Sequence, residues 1–457
     1  MKQFYFFCCT LFLMHGAVNA QQIQQYEWNV GIGGPSTEKA SDIAIDQAGN
    51  VYAGGAFSQT VDFDNDPNNV SSLTTLGSFD GYVTKYNPQG QFQWVKRFAS
   101  NNKDNVVALN IDAQNNLYVA GMFYSSMTLD SNNANSTVTS HGFDDIFIAK
   151  FDASGTFQWV RSFGGANADD IKDMDIYAHG NVYLLGNYAN QIDFDPGAGT
   201  AIYTAAGISD IYISKFDTQG NFVYVQTFGN ATADEVGECI ALDHQGHIFF
   251  AGEFNTGITI GTNGLVAAGM SDAFFAQLDS LGNAIWSKSI SGSDIEYAKS
   301  ITIDAANYAI LTGSSRSSTV QFSIGNSTSN YTNHGLFDAY VVKYSNNGFY
   351  QWAQLFGGSN SEGANGVWVD SQNNIYTGGY FYGTNEHFFT DSISVTGGTS
   401  DQDAFVIKLD MNGQFKWVRQ FGSPTLDEMV TCKMDAEENL YYFNKTYGNP
   451  FDVDFSA

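Results

Sequence analysis

The stretch Asp145–Tyr183, DIFIAKFDASGTFQWVRSFGGANADDIKDMDIYAHGNVY, holds three apolar runs separated by Gly-containing polar turns and anchored by Trp159. The same order of parts returns six more times along the chain, complete or in part. A fixed internal period of this kind marks an array of one supersecondary unit rather than a fold with a unique middle.

The aromatic residue of each repeat sets the period: Trp28, Trp94, Trp159, Tyr224, Trp286, Trp352 and Trp417 recur about every 65 residues. A pair of small residues follows, as at Gly33-Gly34, Gly164-Gly165 and Gly357-Gly358, with Ala99-Ser100 departing from the pattern. An acidic residue then leads into an alternating strand A, which ends in a DxxGN turn such as DQAGN from Asp46 or DSQNN from Asp370. Asp caps such a turn by accepting backbone N–H groups, and Gly or Asn tolerates the positive φ it needs, so a short hairpin is expected. Strand B follows at once (VYAGGAF, LYVAGMF, IFFAGEF). Strand C is the most regular (DGYVTKY, DIFIAKF, DIYISKF, DAFVIKL), and a second Asp-Gly turn leads to strand D and the next aromatic.

Nothing in these runs has the 3.6-residue period of a helix. Four antiparallel strands per repeat at a fixed period point to an all-β, seven-bladed β-propeller of four-stranded antiparallel blades. Strands A and B occur seven times, beginning near Ala40, Val106, Ile171, Gly237, Ala298, Ala364 and Met429, whereas C and D occur six times. The last blade is therefore expected to be incomplete, in a truncated final repeat, and to be closed by the N-terminal strand around Trp28. The irregular segments between B and C, such as TVDFDNDPNNVSSLTTLG and QIDFDPGAGTAIYTAAG, read as extensions of the B–C hairpin and as the place where recognition varies.

The succession DAFVAK-like strand, DxxGN turn, Trp, Gly-Gly and alternating AVD-like strand resembles the bacterial seven-bladed β-propeller repeats, the SBBP family, from about Trp28 to about Tyr447. The resemblance implies a propeller on secreted or surface proteins of bacteria and implies no particular activity. The third repeat departs from the pattern at Tyr177, where strand A elsewhere ends in Asp. The fourth departs at Gln277, where strand C elsewhere carries Lys85, Lys150, Lys215, Lys343 or Lys408.

The 457 residues carry 19 Lys and Arg against 47 Asp and Glu, a formal charge of -28. Such an acidic surface repels nucleic acid and anionic lipid. Residues 1–20, with Lys2, an apolar run from Phe4 to Met14 and Ala17-Val18-Asn19-Ala20, read as a secretory signal peptide cleaved after Ala20, leaving 21–457 as one propeller domain. No transmembrane segment is expected: the apolar run is too short to span a bilayer. The chain is accordingly expected to be secreted, extracellular or on the cell surface. Cys8 and Cys9 leave with the signal, and Cys239 and Cys432, in corresponding strands of different repeats, read as buried packing residues.

Aligning the A strands places a carboxylate in one column every time: Glu38, Asp104, Asp169, Glu235, Glu296, Glu362 and Asp427. In a propeller the A strands surround the axis, so these seven are a candidate ring at the channel mouth that would invite a cation or a basic ligand. The alternative is that each caps backbone N–H groups at the start of its strand. No cofactor is expected. Ca²⁺ is the ion that the ring, or the alternating carboxylates Asp62, Asp64 and Asp66, would take, although the latter lack the Gly and Glu that complete a Ca²⁺ loop. His244 and His247 lie inside a DxxGN-type turn without a third ligand, and His141 and His334 hold equivalent places before strand C. The repeated DxxGxxxW is similar to the Asp-box of sialidase propellers, but its aromatic stands one residue too far from Gly. No GxSxG, HExxH or phosphate loop occurs. The expectation is a non-catalytic binding or scaffold module for a protein or glycan ligand. The alternative is a lyase or glycosidase acting on a polysaccharide at the channel mouth, which would need one blade to break the pattern with convergent His, Arg or Tyr.

Overall fold

The computed structural model describes residues 7–15, 25–34, 38–64, 66, 68–177, 180–231, 234–324, 327–384, 386–396, 398 and 401–446. Among them the only helix is a three-residue 3₁₀ turn, Ala134–Ser136; everything else regular is strand. The chain divides into two compact units, residues 1–227 with 435–445, and residues 228–434 with 446–457.

The first unit contains three four-stranded antiparallel sheets in the order A-B-C-D. Their strands are Lys39–Ile45, Val51–Phe57, Asp80–Tyr86 and Phe92–Phe98; then Asn105–Ile111, Leu117–Phe123, Asp145–Phe151 and Phe157–Gly165; then Asp170–Tyr177, Asn181–Tyr188, Asp210–Phe216 and Phe222–Phe228. The second unit repeats the arrangement. Its strands A to D are Glu235–Leu242, Ile248–Phe254, Asp272–Leu278 and Ala284–Ser291; Glu296–Ile303, Ala309–Ser315, Asp338–Tyr344 and Tyr350–Phe356; and Glu362–Val369, Ile375–Tyr382, Gln402–Leu409 and Phe415–Phe421.

Strands B and C are buried along nearly their whole length, because a sheet lies against each of their faces. Within a unit the apolar clusters interleave successive sheets. Ala44, Tyr52 and Val83 of the first sheet pack with Leu109, Phe147 and Phe151 of the second, and Ile310 and Val341 of the fifth pack with Val367 and Phe405 of the sixth. Phe98 stacks on Phe147 at 5.6 Å and 17°, an aromatic contact worth about 0.5–1.5 kcal/mol beyond the area it buries.

The DxxGN turns close as the residue types demand. Asp46 Oδ1 accepts the N–H groups of Ala48 and Asn50, and Gly49 and Asn115 stand at φ 76° and 61°. Six A strands also share a bulge that the sequence did not announce, between Ala40 and Asp42, for example, and between Ala298 and Ser300.

Among the described residues, six B–C extensions form short two-stranded ribbons, as the hairpin reading expects. Three ribbons dock on the prolonged strand D of the preceding repeat, with Gly33 opposite Asp62, Gly164 opposite Asp193 and Ile290 opposite Phe322. The small-residue pair after the aromatic is what permits this approach, since a Cβ on Gly165 would fall 2.2 Å from the Gln191 carbonyl oxygen.

The repeated aromatics are not uniformly core. Trp286 is 7% exposed, and the other five tryptophans are half-buried. Four of them cover the Gly-containing turn of the next C–D hairpin: Trp28 lies over Gly90, Trp159 over Gly220, Trp286 over Gly348 and Trp352 over Gly413. The indole N–H of Trp28, Trp286 and Trp352 donates to a carbonyl of that turn at 2.9–3.2 Å.

Sequence reading left the last repeat without a strand C. In the structure Phe7–His15 forms a strand antiparallel to Gln25–Gly34, lying between it and Leu440–Thr446. Two facing strand edges leave a row of unpaired backbone groups, and an apolar run of the right length fills it. Its register puts Leu13 opposite Trp28, where the other strands C carry Lys or Gln opposite the aromatic. Ala20, the expected cleavage point, lies outside the described residues, as does the segment 447–457.

Candidate functional site

The seven carboxylates of the strand-A column are all shut away from solvent, none more than 1% exposed. Their first partners are local N–H groups four or five residues back: Ser100 donates to Asp104, Gly165 to Asp169 at 2.7 Å, Asn230 to Glu235, Gly358 to Glu362 at 2.8 Å, and Ser423 to Asp427. Glu296 instead accepts the hydroxyl of Ser315 at 2.8 Å. Burial pushes these acids up, Asp104 to about 6, Asp169 and Glu296 to about 7, and Glu38 and Glu362 to about 8, against backbone and hydroxyl donors that pull the other way.

Each of four of them stands beside a second buried carboxylate that sequence reading took only as the first residue of strand C. The backbone N–H of Asp104, Asp169, Glu296 and Glu362 donates at 2.8–2.9 Å to the carbonyl of the residue preceding Asp80, Asp145, Asp272 and Asp338, respectively. That bond fastens strand A of one sheet to strand C of the sheet before it and sets two acids side by side. The signal was in the sequence, since Asp opens strand C as regularly as an acid precedes strand A. Among the described residues no group of three or more His, Cys, Asp or Glu is placed to hold a metal ion.

A second buried constellation lies at the opposite end of strand B. The lysine of strand C reaches the Asp of the DxxGN turn: Lys85 to Asp46 at 3.4 Å, Lys150 to Asp112 at 3.5 Å, Lys343 to Asp304 at 2.8 Å and Lys408 to Asp370 at 3.5 Å. Tyr52, Tyr118 and Tyr376 donate their hydroxyls to the same aspartates, and the ammonium groups lie over their rings at 4.6–4.7 Å. The fourth repeat substitutes Gln277 for Lys, and His247 takes the Asp243 carboxylate at 2.8 Å. This explains His247 without a metal. His141 and His334 likewise hold Asp145 and Asp338, at 3.0 and 3.1 Å. Asp62, Asp64 and Asp66 spend their oxygens on backbone N–H groups of their own hairpin. Cys239 and Cys432 are both buried.

The exposed candidate is a groove of about 640 Å³ in the first unit, beside the B–C ribbons of the second and third repeats. Thr137, His141, Arg161, Asp193 and Asp195 line it. An adjoining hollow shares Thr137 and Arg161 and adds Asn133, Asn135, Gln158 and Trp159. The Arg161 guanidinium lies 5.6 Å from the Trp159 ring and donates to the Gln219 carbonyl at 3.0 Å, so amides, carboxylates, a cation and an aromatic edge share one polar depression. Such a set can hydrogen-bond a hydroxyl-rich or peptide ligand; it has no paired nucleophile and base.

No family model matches the chain. It is 24% identical over 325 residues to the uncharacterized WD repeat-containing protein L264 of Acanthamoeba polyphaga mimivirus, covering 59% of this chain and 23% of that protein. It is also 24% identical over 196 residues to the regulatory protein FlaEY of Caulobacter vibrioides, covering 42% and 20%. The chain thus spans a quarter or less of the length of these relatives. Among solved structures, the Neurospora crassa Pan2 WD40 domain aligns over 92% of each chain at 10% identity and a TM-score of 0.43, and the polysaccharide lyase Uly1 over 89% of this chain and 90% of its own at 8% and 0.35.

Proposed function

We propose that the sheets are blades of a seven-bladed β-propeller closed through the N-terminal strand, and that the protein is a secreted or cell-surface binding or scaffold module without catalysis. The observation that carries the reading is a division of labour along each repeat. Strands A to D and their turns repeat one pattern of burial and hydrogen bonding, whereas the ribbons between B and C differ in length and composition, and those of the second and third repeats border the open polar groove around Arg161. The ligand class is protein or glycan, since a chain with charge -28 repels nucleic acid.

The test is a glycan and peptide binding screen on the whole protein, followed by Arg161→Ala on any ligand found. Loss of about tenfold or more in affinity on removing the cation supports the groove. Turnover of a polysaccharide by the unmodified protein would replace this reading with the enzymatic one.

A further inference from the structure

We infer that three of the carboxylate pairs between successive sheets, Asp145–Asp169, Asp272–Glu296 and Asp338–Glu362, each hold one shared proton at neutral pH, making those junctions proton-binding locks. Ionised carboxylates only accept hydrogen bonds, so two of them facing each other in a dry site leave oxygens that nothing can satisfy except a proton or a cation. That is the arrangement at three junctions. Asp145 and Asp169 each keep one oxygen, Oδ1, without a partner, and so do Asp338 (Oδ1) and Glu362 (Oε1), all in side chains no more than 1% exposed. Glu296 keeps Oε2 unpartnered, and its carboxyl is within hydrogen-bonding reach of Asp272, a contact that requires one of the two to carry a proton. A methyl group on Gly357 would fall 2.4 Å from Glu362 Oε2 and 2.8 Å from Asp338 Oδ1, so the two acids flank one point in space.

The surroundings favour a proton over a metal ion. The donors aimed at these acids are N–H and O–H groups, from Gly165, Gly358, Ser315, His141 and His334, rather than the six to eight oxygens a Ca²⁺ ion gathers. The other titratable groups facing the pairs are Asp144, Asp170 and Tyr212 at Asp145–Asp169, Glu386 and Tyr380 at Asp338–Glu362, and Tyr340 at Asp272–Glu296, with His141 and His334 already named. The nearby Arg316 is engaged by Asp294. His141 and His334 reach Asp145 and Asp338 only at Oδ2, at 3.0 and 3.1 Å, leaving Oδ1 of each without a partner. The upward displacement of Asp169, Glu296 and Glu362 agrees with the same geometry.

Glu362→Gln, in the whole chain, tests the proposal because an amide imitates the protonated acid. Thermal unfolding is followed at about pH 5 and about pH 8.5, with EDTA and with added CaCl₂. The variant is expected to melt above the wild type at the higher pH and to lose that advantage at the lower, with neither EDTA nor CaCl₂ shifting the wild type. Infrared spectra of the unmodified protein provide a second reading that does not depend on the variant folding: a protonated-carboxyl band should persist at neutral pH. Absence of that band would overturn the proposal, as would a wild type that CaCl₂ stabilises and EDTA destabilises, or a Gln variant weakened equally at both values.

Discussion

Replacing Gly348 by Ala probes the contact that repeats from sheet to sheet. Gly348 stands at φ +73°, and a Cβ there would fall 2.8 Å from Cδ2 of Trp286, the most buried of the repeated aromatics. Two costs add. A non-glycine residue in the left-handed region costs about 1–2 kcal/mol, and forcing a methyl into a packed site costs about 1–3 kcal/mol more. Gly49 is the control: its φ is +76°, but a Cβ there meets nothing closer than Pro88 at 3.3 Å, so Gly49→Ala bears the first cost with little of the second. Denaturant unfolding followed by far-UV circular dichroism should therefore place Gly348→Ala about 2–5 kcal/mol below wild type and Gly49→Ala about 1–2 kcal/mol below. In the Trp286→Ala background the extra cost at Gly348 should shrink to the conformational part alone. Equal losses at the two glycines, or an unchanged loss without the indole, would refute the stacked arrangement.

Lys343 and Asp304 form the most buried of the lysine–aspartate pairs, with side chains 4% and 1% exposed and 2.8 Å apart. Lys343→Met should cost about 3–5 kcal/mol by stranding the aspartate, and adding Asp304→Asn should recover much of it, as a double-mutant cycle would show. Stability should also fall as the solution turns alkaline. Asp104, Asp169, Glu296, Glu362 and Asp403, displaced upward chiefly by burial, contribute stability that is complete below their unfolded values and lost as pH rises through about 6 to 8. The turn aspartates oppose this at the acid end. Asp152 is held low by the Ser154 hydroxyl, and at Asp112 hydrogen bonds from Asn116 outweigh desolvation; their contribution is lost as pH falls below about 4. Melting curves across the range should peak at about pH 4, each buried acid removing about 1.4 kcal/mol per pH unit between its unfolded and folded values. Cys432, its thiol pushed up to about 12 by burial, should resist a maleimide until denaturant is added, which mass spectrometry reads directly.

The local order of each sheet was legible because it rests on short-range chemistry. Two-residue alternation, Asp at the first turn position and Gly or Asn at the last are all set within a dozen residues, and Asp46, Gly49 and Asn115 behave as their types require. What the sequence concealed depends on contacts between repeats. The strand-A carboxylates stand out as a column, which the sequence alone reads either as an axial ring or as caps on local backbone N–H groups. The recurring Asp at the start of strand C hints at the partner, but the pairing of Asp104, Asp169, Glu296 and Glu362 with Asp80, Asp145, Asp272 and Asp338 follows from a backbone hydrogen bond between sheets that lies beyond any one repeat. The ribbons follow the hairpin extension the sequence suggests, but the bounds of three-residue strands such as Thr60–Asp62 and Gln191–Asp193 carry too little alternation to register. Arg161 was overlooked because its place in strand D is that of an ordinary exposed residue, and only the neighbouring ribbon makes a groove of it.

Hydrogen exchange resolved by peptide mass spectrometry asks most directly whether the chain is built from equivalent sheets. Strands B and C of all six complete sheets should exchange slowly and to a similar degree, with the B–C ribbons and Asp-Gly turns exchanging early in every repeat. Protection confined to a few repeats, or ribbons as slow as strands B and C, would contradict it.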